Sequence, residues 1–293
     1  MMNNKKIIFF LFVGLLLFSA FRSDMPAYKL YNQKGKRTSF SKLVKEAAKA
    51  DVIFFGELHN NPIAHWLQLE LTAELHEIHG EKLLLGAEMI ETDNQEALEL
   101  YLSGAIEHDS LKNLARLWGN YKTDYKPLVD LAKEKQLKFI GTNVPRRYAS
   151  MVYKGGFEAL DTLPKLDKQW IAPLPIEYDP TLPAYKEMME MMGGMKNHST
   201  ENFPKAQAIK DATMAWKIAE NWQKGSFFIH YNGSFHSDNY EGIVWYLKQL
   251  KPEATILTIT TIEVSNLQRK LEEELRFVAD FTIAVPETMT KTY

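Results

Sequence analysis

The chain has 293 residues, a formal net charge of −2 and no cysteine. The missing cysteine excludes a disulfide-stapled fold, a thiolate nucleophile and any thiolate-held metal. A charge this small, with no Lys/Arg-rich block, gives nucleic acid no footing, and the length suits one large α/β domain.

Lys5 and Lys6 precede an uncharged apolar stretch, Ile7 to Phe21, which ends at Arg22-Ser23-Asp24. This pattern predicts a secretory signal peptide over residues 1–23, leaving 24–293 as the mature domain. An uncleaved anchor is the alternative, and the membrane is then met only through this segment. The stretch falls short of the ~20 residues of a spanning helix. Its removal takes away three bases and no acid.

Asp51–Glu57 is rich in β-branched and aromatic residues, the mark of a buried strand. Asn61-Pro62 then reads as an N-cap and a first-turn proline, opening a helix over Pro62–His79 with a stripe at Ile63, Leu67, Leu71, Leu75 and Ile78. Lys82–Glu88 is a second strand. Asp93 with Glu96 resembles a capping box for a helix towards Leu102. Pro127–Gln136 reads as a helix, Leu137–Thr142 as a strand, and Pro204–Gln223 as a long helix with an alanine face. Ser226–Tyr231, Ala254–Glu263 and Phe277–Val285 complete the strands. Such alternation predicts an α/β fold with a mostly parallel sheet and helices on both faces. Residues ~155–203 break the rhythm with five prolines, a sixth at Pro204, and the run Met188 to Met195, and predict an inserted, mainly helical cap over the sheet's carboxyl edge.

Ligands bind at the carboxyl ends of strands in open α/β sheets. Reading those ends in order gives Glu57 with His59, then Glu88, Asn143, and His230 to His236. His65 stands one turn into the helix after His59, facing the same end. A single acid or histidine there is as a rule a cap or a loop hydrogen-bonder; four such ends in one chain mark a site. Arg146 and Arg147 follow the Asn143 strand, placed to pair with a ligand's carboxylates. Asp211 reads equally as a group orienting a site histidine or as an exposed side chain. His76 and His79 lie about 16 Å along the helix from His65 and suit its C-terminal dipole. The methionine run reads as packing of the cap, with soft metal ligation as the other use of such residues.

The segments Phe55–His65, Gly86–Met89 with Gln95, Gly141–Arg147, Gln207–Ala215 and Asn232–His236 resemble, in order, the motifs of the ChaN-like haem-binding uptake family. That family shares a superfamily with Tiki proteases and erythromycin esterases. The resemblance runs from about Asp51 to Tyr246. It implies an exported, periplasmic or envelope-associated protein that binds haem in iron acquisition and admits a homodimer. Many such proteins are lipoproteins, whereas this chain has no cysteine to carry lipid.

Two functions follow as expectations. The first is haem binding, with His59, His65 or His236 as axial or distal candidates, Arg146 and Arg147 for the propionates, and Asn143 in the pocket; Tyr148 and Tyr153 stay open as ligands. The cap supplies the apolar slot through Met188–Met195, Tyr178 and Tyr185. The second is a hydrolase, protease or esterase, in which Glu57, His59, Glu88 and His236 hold a divalent metal ion, or His59 serves as a general base. A non-catalytic protein that docks a partner through the cap is a third reading.

Overall fold

A computed structural model describes residues 26–191 and 201–293. The segment 1–23 and part of the methionine run, Met192 to Met195, lie outside the described residues. No helix among the described residues is long and apolar enough to cross a membrane.

Eight strands form one sheet: β1 (Lys29–Asn32), β2 (Arg37–Thr38), β3 (Val52–Glu57), β4 (Leu83–Glu91), β5 (Lys138–Asn143), β6 (Phe227–Gly233), β7 (Ile256–Val264) and β8 (Phe281–Pro286). Their order is β2-β1-β8-β7-β3-β6-β4-β5. The six strands from β8 to β5 run parallel, and the β1–β2 hairpin adds an antiparallel edge. The mostly parallel α/β reading therefore holds. The short edge hairpin, two to four residues a strand, lies below the length at which alternation becomes legible.

Burial on both faces explains the continuous apolar runs. Ile53 and Phe55 of β3 point into one core, with Leu67, Leu71 and Leu75 from helix α2 (Pro62–His79). Val52 and Phe54 alternate into the opposite core, with Ile209, Met214 and Ala215 from helix α8 (Phe203–Asn221). Helices α1 (Phe40–Ala47), α3 (Gln95–Leu102), α4 (His108–Leu114) and α5 (Lys126–Lys135) complete the first layer, and α6 (Arg146–Gly155) and α9 (Ile243–Leu250) the second. Ile78, placed in the α2 stripe by its spacing, is instead 53% exposed.

The predicted capping box at Asp93 does not form. Residues Thr92–Asn94 take a 3-10 turn, Asn94 caps α3 without a side-chain bond, and Asp93 instead accepts from Arg116 and Arg147. The proline-rich insertion contains 3-10 turns at Phe157–Thr162 and Asp167–Trp170 and one α-helix, α7 (Pro183–Met191). Tyr185 and Met188 of α7 pack on Ala208 of α8, with Tyr178, Phe203 and Phe235 around them.

Candidate functional site

The β3–α2 junction sets the site. Asn61 caps α2, its side-chain Oδ1 accepting from Ile63 N (3.0 Å) and Ala64 N (3.2 Å), with Pro62 in the first turn. A cap of this kind stabilises by about 1 kcal/mol and fixes where the loop Leu58–Asn61 ends. Glu57 pairs in register with Gly233 on the neighbouring strand. Beyond Ala87 the β4–β5 register shifts, as at a β-bulge, and there β4 carries Glu88.

Glu57 is buried and anchors one half of the cluster. Its Oε1 accepts from Tyr125 OH (2.7 Å) and from His59 Nδ1 (2.8 Å), and its Oε2 from Gln68 (2.5 Å). His65 lies between Glu57 Oε2 (3.4 Å) and Asp124 Oδ2 (3.5 Å), and its Nε2 donates to His59 O at 3.1 Å. Burial works against charge on His65, yet Glu57 and Asp124 overcome it and lift the pKa to about 9. Burial likewise opposes ionisation of Glu57, but hydrogen bonds from His59 and His65 hold it at about 2. His65 is thus an imidazolium that braces the loop.

The other half repeats the pattern. His236, 4% exposed, holds Asp211 Oδ1 through Nδ1 (2.5 Å) and faces Glu88 Oε1 through Nε2 (3.2 Å). The Gln207 carboxamide also lies 2.9 Å from Nε2. Burial resists the charge, but Glu88 and Asp211 raise the pKa of His236 to about 10. Glu88 receives Gly233 N–H at 2.8 Å and is held well below the usual carboxylate range, burial notwithstanding, by His236. Asp211 is thereby settled as a buried partner of His236 rather than an exposed acid.

Of the cluster's three histidines among the described residues, that leaves His59 with its second nitrogen free. His59 is fixed through Nδ1 to Glu57 and packs edge-on to Trp118 (4.9 Å), and its side chain is 33% exposed. Nε2 has no hydrogen bond among the described residues. Burial disfavours its charged form, while the bond to Glu57 and the fields of Glu88 and Glu57 prevail and raise its pKa above the ordinary value. A Cβ on Gly233 would stand 2.8 Å from Nε2 and 3.0 Å from Cε1, so glycine keeps open the space in front of that nitrogen. Gly233→Ala is expected to push His59 aside and weaken any ligand held at Nε2 about tenfold or more, as read by titration, with little change in secondary structure by circular dichroism.

His59, Glu57, Glu88 and His236 border a cleft of about 830 Å³. Its apolar wall comes from Leu58, Trp118, Val144, Met188, Phe203 and Phe235. Arg146 and Lys210 supply positive charge, and Asn143, 8% exposed, contributes an Oδ1 with no hydrogen-bond partner among the described residues. Arg147 does not line the cleft: it pairs with Asp93, donates to Tyr148 OH and stacks on Tyr148 at 4.4 Å. It thus corrects the expectation that both arginines face a ligand; consecutive helical residues point about 100° apart. Tyr148 is buried beneath Arg147, and Tyr153 packs against Phe203. His230 is a satisfied core residue, bonded to Thr142 and Asn232, with burial lowering its pKa to about 4. His79 stacks on Phe227, at the far end of α2.

The metal-ion expectation finds no donor set. Glu57 is taken up by His59, Gln68 and Tyr125, Glu88 by Gly233 and His236, and both His236 nitrogens by Asp211 and Glu88, and among the described residues no group of three or more His, Asp or Glu side chains is disposed to hold a metal ion. Sequence reasoning passed over Gln68, Trp118, Asn120, Asp124, Tyr125 and Lys210. Gln68 carried a weak signal, three residues after His65 on one helix; Asp124 and Tyr125 sit in a single π-turn, Tyr121–Tyr125, with no periodicity to mark it.

A family model described as "Haem-binding uptake, Tiki superfamily, ChaN" matches residues 43–247. Among solved structures, ChaN of Campylobacter jejuni, described with cofacial haem binding, is similar at a TM-score of 0.67 and 18% identity, covering 87% of this chain and 96% of that one. An erythromycin esterase, EreC, in its open conformation aligns at a TM-score of 0.47 and 10% identity over 89% and 83% of the two chains. No curated protein matches the sequence.

Proposed function

Because the chain belongs to the haem-binding uptake (ChaN) family of the Tiki superfamily, we propose that it binds haem in the His59 cleft and serves haem or iron uptake. The observation that carries this reading is His59 Nε2, which among the described residues is the cluster's one imidazole nitrogen open to the cleft, with its Nδ1–H fixed on a buried carboxylate. His59 Nε2 would hold the iron of a bound haem, which would supply a Lewis-acidic centre there. A carboxylate on the far nitrogen fixes the tautomer and raises the basicity of the ring. Leu58, Val144, Met188, Phe203 and Phe235 exclude water from an apolar macrocycle, and Arg146 and Lys210 are placed for its two carboxylates. The orphan Asn143 Oδ1 accepts a hydrogen bond from whatever polar group enters the cleft.

Export to the periplasm or envelope is part of the proposal, supported by the basic and apolar pattern of residues 1–23. A homodimer is proposed on the family resemblance alone.

Haemin titration followed at the Soret band tests the binding across pH. A proton on His59 Nε2 would block its use as a ligand, so affinity is expected to rise with pH and level off above the raised His59 midpoint. Below it, each pH unit costs about tenfold. An affinity independent of pH between 5 and 8 contradicts ligation through His59.

A second reading draws on the same pair. An imidazole oriented by a carboxylate in a cleft is also a general base, which fits a metal-free hydrolase. The raised His59 pKa makes the ring a stronger base but leaves less of it unprotonated at a given pH. Turnover of ester or peptide substrates that rises with pH and is lost in His59→Ala would favour this reading.

A further inference from the structure

The family match ends at residue 247, yet the chain comes back to the cleft after β8. Met289 packs on the core of the first layer and Lys291 pairs with Glu263 of β7. Thr292 then makes two bonds: its N–H donates to Asn60 O (3.0 Å) and its hydroxyl to Asp124 Oδ2 (2.7 Å). Asp124, 3% exposed, also accepts from Asn120 (2.6 Å) and stands 3.5 Å from His65 Nε2. Asn120 and His65 in turn both donate to His59 O, at 2.9 and 3.1 Å. Thr292 therefore closes a ring of hydrogen bonds around the loop that carries His59. Next to it, Tyr293 lines both the His59 cleft and an adjoining groove of about 1130 Å³ that shares Glu91, Trp118 and Arg146 with it.

We propose that residues 290–293 form a strap that completes the ligand site, with Thr292 positioning the His59 loop and Tyr293 forming a wall against a planar, carboxylate-bearing macrocycle. The proposal rests on the haem reading for its ligand. Thr292 acts through Asn60 and Asp124 and touches no ligand. Burial and the fields of Glu57 and Asp124 push the Tyr293 phenol up, so it meets the ligand as a neutral ring with an O–H donor.

The test compares wild type with Thr292→Val, Thr292→Ser and Tyr293→Ala in two measurements: haemin affinity at the Soret band, and hydrogen exchange of the Leu58–Asn61 amides in haem-free protein. Thr292→Val is expected to weaken haemin about tenfold and to speed exchange in the loop, and Thr292→Ser to restore both. Tyr293→Ala is expected to weaken haemin about five- to tenfold with loop exchange unchanged. A wild type that binds haemin while Thr292→Val and Tyr293→Ala match it in both measurements overturns the strap and leaves the haem reading standing. A wild type that does not bind haemin overturns that reading and the role of Tyr293 with it; loop exchange in Thr292→Val then decides the role of Thr292 alone.

Discussion

His59→Ala is expected to lower haem affinity about 100-fold or more while leaving the fold intact. The substitution removes the one imidazole among the described residues whose second nitrogen is free towards the cleft, and His65 and His236 cannot replace it. His65 spends Nε2 on the His59 carbonyl and sits between Glu57 and Asp124. His236 spends both nitrogens on Asp211 and Glu88. Stability should change modestly, because the His59 side chain is one-third exposed and its loop stays tied through the backbone bonds to Asn120 and His65. Glu57→Gln is a graded control: it keeps the shape of the acceptor and removes its charge, a change that at ligating histidines costs about 10- to 100-fold in affinity. Equal affinity in wild type and His59→Ala, with a native thermal transition in both, would sink the assignment.

The second large effect falls on stability. Glu88→Gln is expected to destabilise the protein by about 3–5 kcal/mol, since it takes the main counter-charge from a buried imidazolium. Asp211, lifted by its own burial, is the weaker partner of His236. The pH dependence carries the signature. His236 titrates at about 10 and His65 at about 9 in the folded chain, against about 6.5 when unfolded. Both groups bind protons more tightly folded, so their stabilisation is complete below pH ~6.5 and lost as pH rises through 9 and 10. Glu57, at about 2, contributes above its unfolded value near 4.5 and loses that contribution as pH falls towards 2. Urea unfolding of haem-free wild type should therefore give falling stability from pH 6.5 to 10, and Glu88→Gln a shallower fall. Parallel curves for the two proteins would remove His236 as the titrating group.

Most of the sheet was legible because its parallel strands are buried on both faces, and uninterrupted apolar runs such as Val52–Phe55 betray that directly. The strand-end cluster was legible for the same reason: strand direction alone brings Glu57, Glu88, Asn143 and His236 to one edge. What each group does there was not. His59, His65 and His236 look alike in sequence, and only the groups each one meets occupy both nitrogens of His65 and His236 and leave His59 Nε2 open among the described residues. Arg146 and Arg147 are separated by one residue of helical rotation, which sends the first to the cleft and the second to Asp93. Asp93 was misread because the capping-box pattern is satisfied by spacing alone, whereas two nearby guanidinium groups claim its carboxylate. Asp124, Thr292 and Tyr293 reach the site from a π-turn and an aperiodic tail, where no hydrophobic rhythm marks a position.

The most direct test of the central claim is a crystal structure of the haemin-loaded protein with the iron located by its anomalous signal. Iron is expected at bonding distance from His59 Nε2, in the cleft walled by Trp118, Met188 and Phe235 and bounded by Arg146. Iron ligated elsewhere, with His59 Nε2 left unbound, would contradict it.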